Sequence, residues 1–371
     1  MTVISVIMGS TREGRFSEKP AKWILQHLKK RDGVDARLLD LRDFPMRFFD
    51  QPVPPAMPGR PAYENEIVRR WTSAIARRRL SFGRYFQRTP MTLVQSKSPP
   101  RRLARAIMHR TRGRTNGPVT RLMSPSDLGE ILKPFVFLDL FDHEGAPFNG
   151  PLHPHSGIAT LTYVVEGAVN YIDPDDVRGI LEAGGVEWMQ AGRGMWHGGG
   201  LDKAGRTRGF QLWIALPPAL ELGPTISIYQ PSGDVQSDGP ARVLLGSYGS
   251  ASSAIASPSP INYLAVRLKA GERWRYEPPT GHTVLWTAIV SGILSAPGEL
   301  RHGDLAAFEP SSKAVEFEAL ADTEFVLGSA APHEHDLVLG YYSVHTTPDA
   351  LREGEAHISS IKERLIQEGR L

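Results

Sequence analysis

The stretch that decides the fold runs from Gly150-Pro-Leu-His153-Pro-His155 through Thr160-Leu-Thr-Tyr-Val-Val-Glu166-Gly167 to Trp188-Met-Gln-Ala-Gly-Arg-Gly-Met-Trp-His197. Side chains alternate between the two faces of an extended strand, so His153 and His155 share a face and Pro154 points away. Two imidazoles on one face make half of a metal site. Glu166-Gly167 reads as a hairpin turn between two β-rich runs, and Gly192-Arg-Gly194 as the turn before a strand carrying His197. A small barrel could bring the three histidines together.

Working outward, the chain from Leu132 on is a succession of short β-rich runs separated by Gly, Pro and Asp, which favours barrels over a helix bundle. Phe135–Leu140, Ala159–Ile172, Gly185–Ala191, Met195–His197 and Gly209–Ala215 are expected to build a first barrel. Leu216-Pro-Pro218 breaks the pattern. Arg242–Leu245, Tyr263–Leu268, Val284–Val290, Asp304–Phe308, Ala314–Glu318 and Glu324–Gly328 then read as strands of a second. That second set carries only the scattered His282 and His302, so a single metal site in the first barrel is expected. His333 and His335 share the i, i+2 spacing but lie in a polar loop without a third partner, and solvated histidines are expected there. A helix is predicted from Pro348 to Glu368, with Thr347 as N-cap and Gly369 after its end.

The HPHxG motif, the TYVxEG hairpin, the WMxAGRGxxH segment, Leu132-Lys-Pro-Phe-Val-Phe-Leu-Asp139 and Tyr342-Ser-Val-His-Thr346 together resemble the pirin family of two-barrel cupins, over roughly residues 110–371. The resemblance implies a mainly β bicupin whose metal, most simply Fe(II), is held by His153, His155 and His197. It also implies a glutamate two residues after the last histidine, where Gly199 stands, and one in the first motif, where Ala159 stands. Gly199→Glu should therefore restore a fourth ligand, provided the backbone there tolerates a side chain. Pirins are associated with quercetin 2,3-dioxygenase activity, and some relatives act as metal-dependent regulators of other proteins. An enzyme acting on a flavonol or other bidentate enol, a regulatory binding protein and a metal-free barrel with histidines kept for packing are thus the expectations, with a small molecule or a protein as partner. With both family glutamates missing, Glu187 is the nearest sequence candidate for the general base.

The start of the chain differs. Val3-Ile-Ser-Val-Ile-Met8 reads as a buried strand, Gly9-Ser-Thr-Arg-Glu-Gly14 as a loop and Lys19–Lys30 as a helix with Trp23, Ile24 and Leu28 on one face; a second strand over Val34–Leu41 and a second helix over Tyr63–Arg79 follow. This segment resembles the opening of NADPH-dependent FMN reductases of flavodoxin-like fold. Ser10, Thr11, Arg12 and Arg15 are the residues that would hold a phosphate or the phosphate of FMN. The rest of that fold, with the loop that contacts the flavin ring, does not follow. A partial unit that is no independent reductase is expected over residues 1–80, with FMN reductase activity of this N-terminal segment as a further alternative.

Between the two regions, a basic stretch including Arg77-Arg-Arg79, Arg101, Arg102, Arg105, Arg110, Arg112 and Arg114 reads as a solvated linker over 81–115, in preference to a nucleic-acid surface, because neither a recognition helix nor a stacking aromatic motif accompanies it. The remaining expected boundaries are 116–235 and 236–347 for the barrels and 348–371 for the terminal helix. The 371 residues contain no cysteine, which removes thiolate chemistry and leaves histidine and carboxylate as metal ligands; net charge is +3. No apolar run approaches the ~20 residues of a bilayer span and no charged-then-apolar leader is read, so the cytoplasm is expected.

Overall fold

The computed structural model describes residues 2–8, 17–44, 66–67, 70, 105–172, 177–201 and 204–371. The chain divides into two compact units, residues 1–97 and 98–371.

In the first unit, strand Thr2–Met8 pairs in parallel with Val34–Asp40, and helix Glu18–Lys29 makes the crossover between them. A parallel pair needs such a crossover, and this is the opening expected of a doubly wound sheet. The helix does not bury the face expected of it. Ala21 is its one buried side chain, with Leu25 and Leu28 partly buried, whereas Trp23 is 60% exposed and lies against His27. The spacing 21, 25, 28 is the stripe that meets the sheet, and Trp23 falls outside it. Glu66, Ile67 and Arg70 are helical. Ser10, Thr11, Arg12 and Arg15 lie outside the described residues.

The second unit contains the two barrels. In the first, a seven-stranded sheet runs Ile226–Gln230, Val186–Gln190, Ile158–Glu166, Gly205–Ala215, Phe135–Gly145, Val119–Met123, Arg114–Asn116. It faces a sheet made of Arg178–Glu182, Ala168–Ile172, Met195–Leu201 and Phe148–Asn149, with His153–His155 paired to Met195–Leu201. The expected hairpin turns at Gly167, whose φ of +78° is left-handed and whose added Cβ would lie 2.5 Å from the Arg206 carbonyl oxygen. Strands Arg178–Glu182 and Ile226–Gln230 escape the sequence reading, being short runs with polar or half-exposed residues.

The second barrel has a seven-stranded sheet, Ser237–Asp238, Ala241–Leu245, Ile261–Leu268, Thr323–Ala330, Val284–Ser291, Leu305–Phe308, Ile107–Thr111, and a four-stranded one. Its interior is apolar, filled by side chains such as Val243, Leu264, Trp274, Leu285, Phe317 and Phe325. The two seven-stranded sheets share one apolar layer, with Leu161, Tyr163, Trp188 and Leu212 from the first barrel and Tyr263, Trp286, Leu305 and Val326 from the second. Alternation therefore leaves the other face of the first sheet for the interior of its own barrel.

Strand Ile107–Thr111 corrects the linker expected to reach residue 115. It is the edge strand of the second barrel, paired with Leu305–Phe308. Arg105 is buried and donates from Nε to the Glu309 carbonyl at 2.7 Å and from Nη2 to the Thr283 carbonyl at 2.5 Å. Arg110 pairs at 2.5 Å with the buried Asp304. Arg105 is thus partnered inside the barrel, and Arg110, itself exposed, reaches a buried carboxylate, contacts that charge density alone does not report. Residues 81–104 lie outside the described residues.

The terminal helix, Pro348–Gln367, begins as expected: Thr347 accepts from the Ala350 amide. It packs on the first barrel, where Trp196 Nε1 donates to the Ile358 carbonyl at 2.8 Å and Trp196, Ile358 and Leu365 form a small apolar cluster. No helix among the described residues is long and apolar enough to cross a membrane.

Candidate metal centre

Register places the three histidines. His197 lies directly across from His153 in the antiparallel pair, Met195 across from His155, and Trp196 across from Pro154. His153, His155 and His197 therefore share one face, while Pro154 and Trp196 turn to the other, Trp196 against the terminal helix. One ring nitrogen from each histidine lies within 4.8 Å of the others, and no further His, Asp, Glu or Cys joins such a group among the described residues. Ring centroids are 4.4 to 5.2 Å apart.

Backbone contacts fix the tautomers of two rings. His153 Nδ1 lies 3.2 Å from the Pro151 carbonyl oxygen and His155 Nδ1 3.2 Å from that of Tyr342. A carbonyl can only accept, so each Nδ1 carries the hydrogen and each Nε2 keeps a lone pair. The third ring has Nε2 buried without a hydrogen-bond partner, and its Nδ1 is 3.9 Å from Glu187 Oε1. Burial holds all three rings neutral: His155 is pushed down to about 3 by desolvation and by the neighbouring His153, and His153 and His197 fall below the ordinary imidazole value for the same leading reason. Three neutral imidazoles with converging lone pairs, one of them buried and unsatisfied, fit a first-row divalent ion.

Glu187 lies inside the first barrel beside this group. It is 6% exposed, and Thr162, its cross-strand neighbour, donates to its Oε2 at 2.7 Å. Its nearest approach to the histidines is to His197 Nδ1, the side away from the unsatisfied nitrogen. Ala159 points elsewhere, into the apolar layer between the barrels. Gly199 is backed against strand Ala168–Ile172, where an added Cβ would lie 2.6 Å from the Asn170 carbonyl oxygen. The proviso on Gly199→Glu therefore fails, and the backbone has no room for a ligand there.

Sequence reasoning singled out the tail motif Tyr342–Thr346 but gave it no place at the histidine cluster. The tail crosses back over the first barrel: Ser156 Oγ donates to Ser343 Oγ at 2.8 Å and lies 3.0 Å from His345 Nε2, while Glu221 lies 3.2 Å from His345 Nδ1 and accepts from the Thr346 amide and hydroxyl. The serine directly after His155 is thus held from the far end of the chain. His333 and His335 stay in their loop, with His333 Nδ1 3.3 Å from the His335 carbonyl oxygen. In the second barrel, His282 Nδ1 lies 3.0 Å from Ser329 Oγ.

Two stacked barrels with a histidine cluster in one of them define a two-barrel cupin. The pirin family model matches residues 117–214, and a pirin-like protein of Solanum lycopersicum is 30% identical over 212 residues, 54% of this chain and 70% of its own length. The chain belongs to the pirin family. Among solved structures it resembles a quercetin 2,3-dioxygenase from Acinetobacter baumannii (TM-score 0.60, 24% identity, covering 70% of this chain and 96% of that one). It also resembles a bacterial pirin from Escherichia coli in complex with nickel(II) (TM-score 0.50, 19% identity, covering 59% and 95%). The model for NADPH-dependent FMN reductase matches residues 2–78.

Proposed function

We propose that the chain is a metal-dependent dioxygenase of flavonol-type or other bidentate enol substrates, with His153, His155 and His197 holding the ion and Fe(II) as that ion. The observation that carries this is the unsatisfied, buried Nε2 of His197 converging with two rings whose Nδ1 atoms are taken by carbonyls. When bound, a divalent ion supplies Lewis acidity toward an anionic enol oxygen. Because all three donors are neutral, the site favours an anionic ligand. Glu187 faces His197 Nδ1, on the side of the ring away from the unsatisfied Nε2, and its role in this reading is to keep that ring oriented. The names of the Acinetobacter baumannii and Escherichia coli proteins support the chemistry and a bound transition metal.

A regulatory role has its own support, since no carboxylate joins the three ligand nitrogens among the described residues. Metal analysis of protein purified without chelator, with oxygen consumption measured on quercetin, separates the readings. Bound metal with uptake is expected. Bound metal without uptake would favour the regulator, and protein without metal would sink both. For residues 1–80 we propose a partial flavodoxin-like unit in which Ser10, Thr11, Arg12 and Arg15 meet a phosphate without reductase turnover. We place the whole protein in the cytoplasm, with no nucleic acid among its partners.

A further inference from the structure

Among the described residues, Tyr342 is the one non-glycine with positive φ, +55°. Such a backbone is disfavoured for a residue with a Cβ, and it persists where the surroundings over-determine it. Here they do. On one side the Tyr341 amide donates to Glu355 Oε1 at 2.9 Å, and on the other Ser343 Oγ donates to the Tyr341 carbonyl at 2.9 Å and accepts from Ser156. The result is a carbonyl aimed at His155 Nδ1 and a ring aimed at the histidines. Its centroid is 5.8 Å from that of His155, 5.9 Å from His153 and 6.3 Å from Trp213. Glycine would supply the same carbonyl without the steric cost. The ring is also no core filler, since Tyr342 is 41% exposed, beside the 65% exposed Tyr341.

We propose that Tyr342 is a substrate-binding residue, its ring forming the wall on which a planar aromatic enol stacks while the enol oxygens face His153, His155 and His197. This rests on the dioxygenase reading above and adds to it the residue that selects aromatic from non-aromatic chelating enols. The ring, the half-exposed edge of the cluster and the fixed backbone all come from one tail segment, so the specificity element is separable from the metal ligands.

Tyr342→Asn and Tyr342→Gly test this, because both residues accept the left-handed backbone and both keep the carbonyl for His155. The full chain is loaded with nickel(II), bound metal is counted, and quercetin and acetylacetone, a non-aromatic chelator, are titrated separately. The expected result is unchanged metal content, unchanged acetylacetone affinity and a quercetin Kd raised roughly three- to tenfold, the range a single aromatic stack gives. Tyr342→Phe should bind quercetin as the wild type does. Quercetin affinity unchanged in both the Asn and Gly variants would overturn the proposal while leaving the dioxygenase reading in place. So would metal loss in both, which would make Tyr342 a positioning residue for His155. A wild-type protein that holds nickel but neither chelator would remove the dioxygenase reading itself, and this inference with it.

Discussion

Acidifying the metal-free protein should destabilise it through His155 in a way that can be isolated. In the fold, burial and His153 hold this ring down to about 3, against 6.5 for an ordinary imidazole. Between those values the unfolded chain binds a proton that the native state refuses, so stability falls as pH drops below the unfolded value. At pH 5 the unfolded ring is about 1.5 units below its pKa, and each unit is worth about 1.36 kcal/mol, so this one side chain removes about 2 kcal/mol relative to pH 7. The figure changes little if the native value moves by a unit, because at pH 5 the native ring is neutral either way. His153 and His197 act in the same direction. The assay is urea unfolding of chelator-treated wild type and His155→Gln, which keeps an N–H for the Tyr342 carbonyl, at pH 7 and pH 5. The wild type should lose about 2 kcal/mol more than the variant across that interval. Equal losses would refute the argument, since they would mean that the ring titrates alike in both states. With metal bound the native ring still takes up no proton, so the same loss should persist below the unfolded value, on top of the stability that metal binding adds.

Other substitutions read other parts of the site. His197→Ala should leave the barrels folded by circular dichroism and remove the metal, and retention of one equivalent by the variant would break the ligand assignment. Gly199→Glu should lower the melting temperature without tightening metal binding, because its Cβ would meet the Asn170 carbonyl at 2.6 Å; a folded variant with higher affinity would contradict this geometry. Gly157→Ala, with φ +73° and a Cβ 2.0 Å from the Val344 carbonyl oxygen, should cost roughly 2–4 kcal/mol in denaturant unfolding and loosen the tail. Titration of the intact protein with FMN should show no NADPH oxidation, and stoichiometric binding with turnover would make the first unit a working reductase.

The barrels were legible because alternation and turn glycines are local signals, as at Glu166-Gly167 and the HPH strand. The histidine trio was equally legible, since strand parity and motif spacing both lie within one stretch. Three things were not. Glu187 could be named but not aimed, because its orientation toward His197 depends on how two strands meet across the Gly192–Gly194 turn. Arg105 read as solvated charge, and only the pairing of Ile107–Thr111 with Leu305–Phe308 reveals the carbonyls that hold it and the Asp304 carboxylate that the exposed Arg110 reaches. Tyr342 stood in a recognised tail motif, but its nearness to His155 spans 187 positions of chain, and no periodicity reports that.

The exchange of ends between the barrels bears on how the molecule is made. Strand Ile107–Thr111 closes the later barrel, and the tail beyond the later barrel braces the earlier one. During synthesis the early strand must wait, its edge open, for a partner 194 or more residues downstream, and His155 must wait 187 for the carbonyl of Tyr342. Neither barrel can be finished and set aside while the other emerges from the ribosome, so the two should fold as one late, cooperative event of high contact order. Metal capture then belongs to the completed chain, and a nascent or truncated product that ends before residue 342 would carry all three histidines with one ring still free to turn.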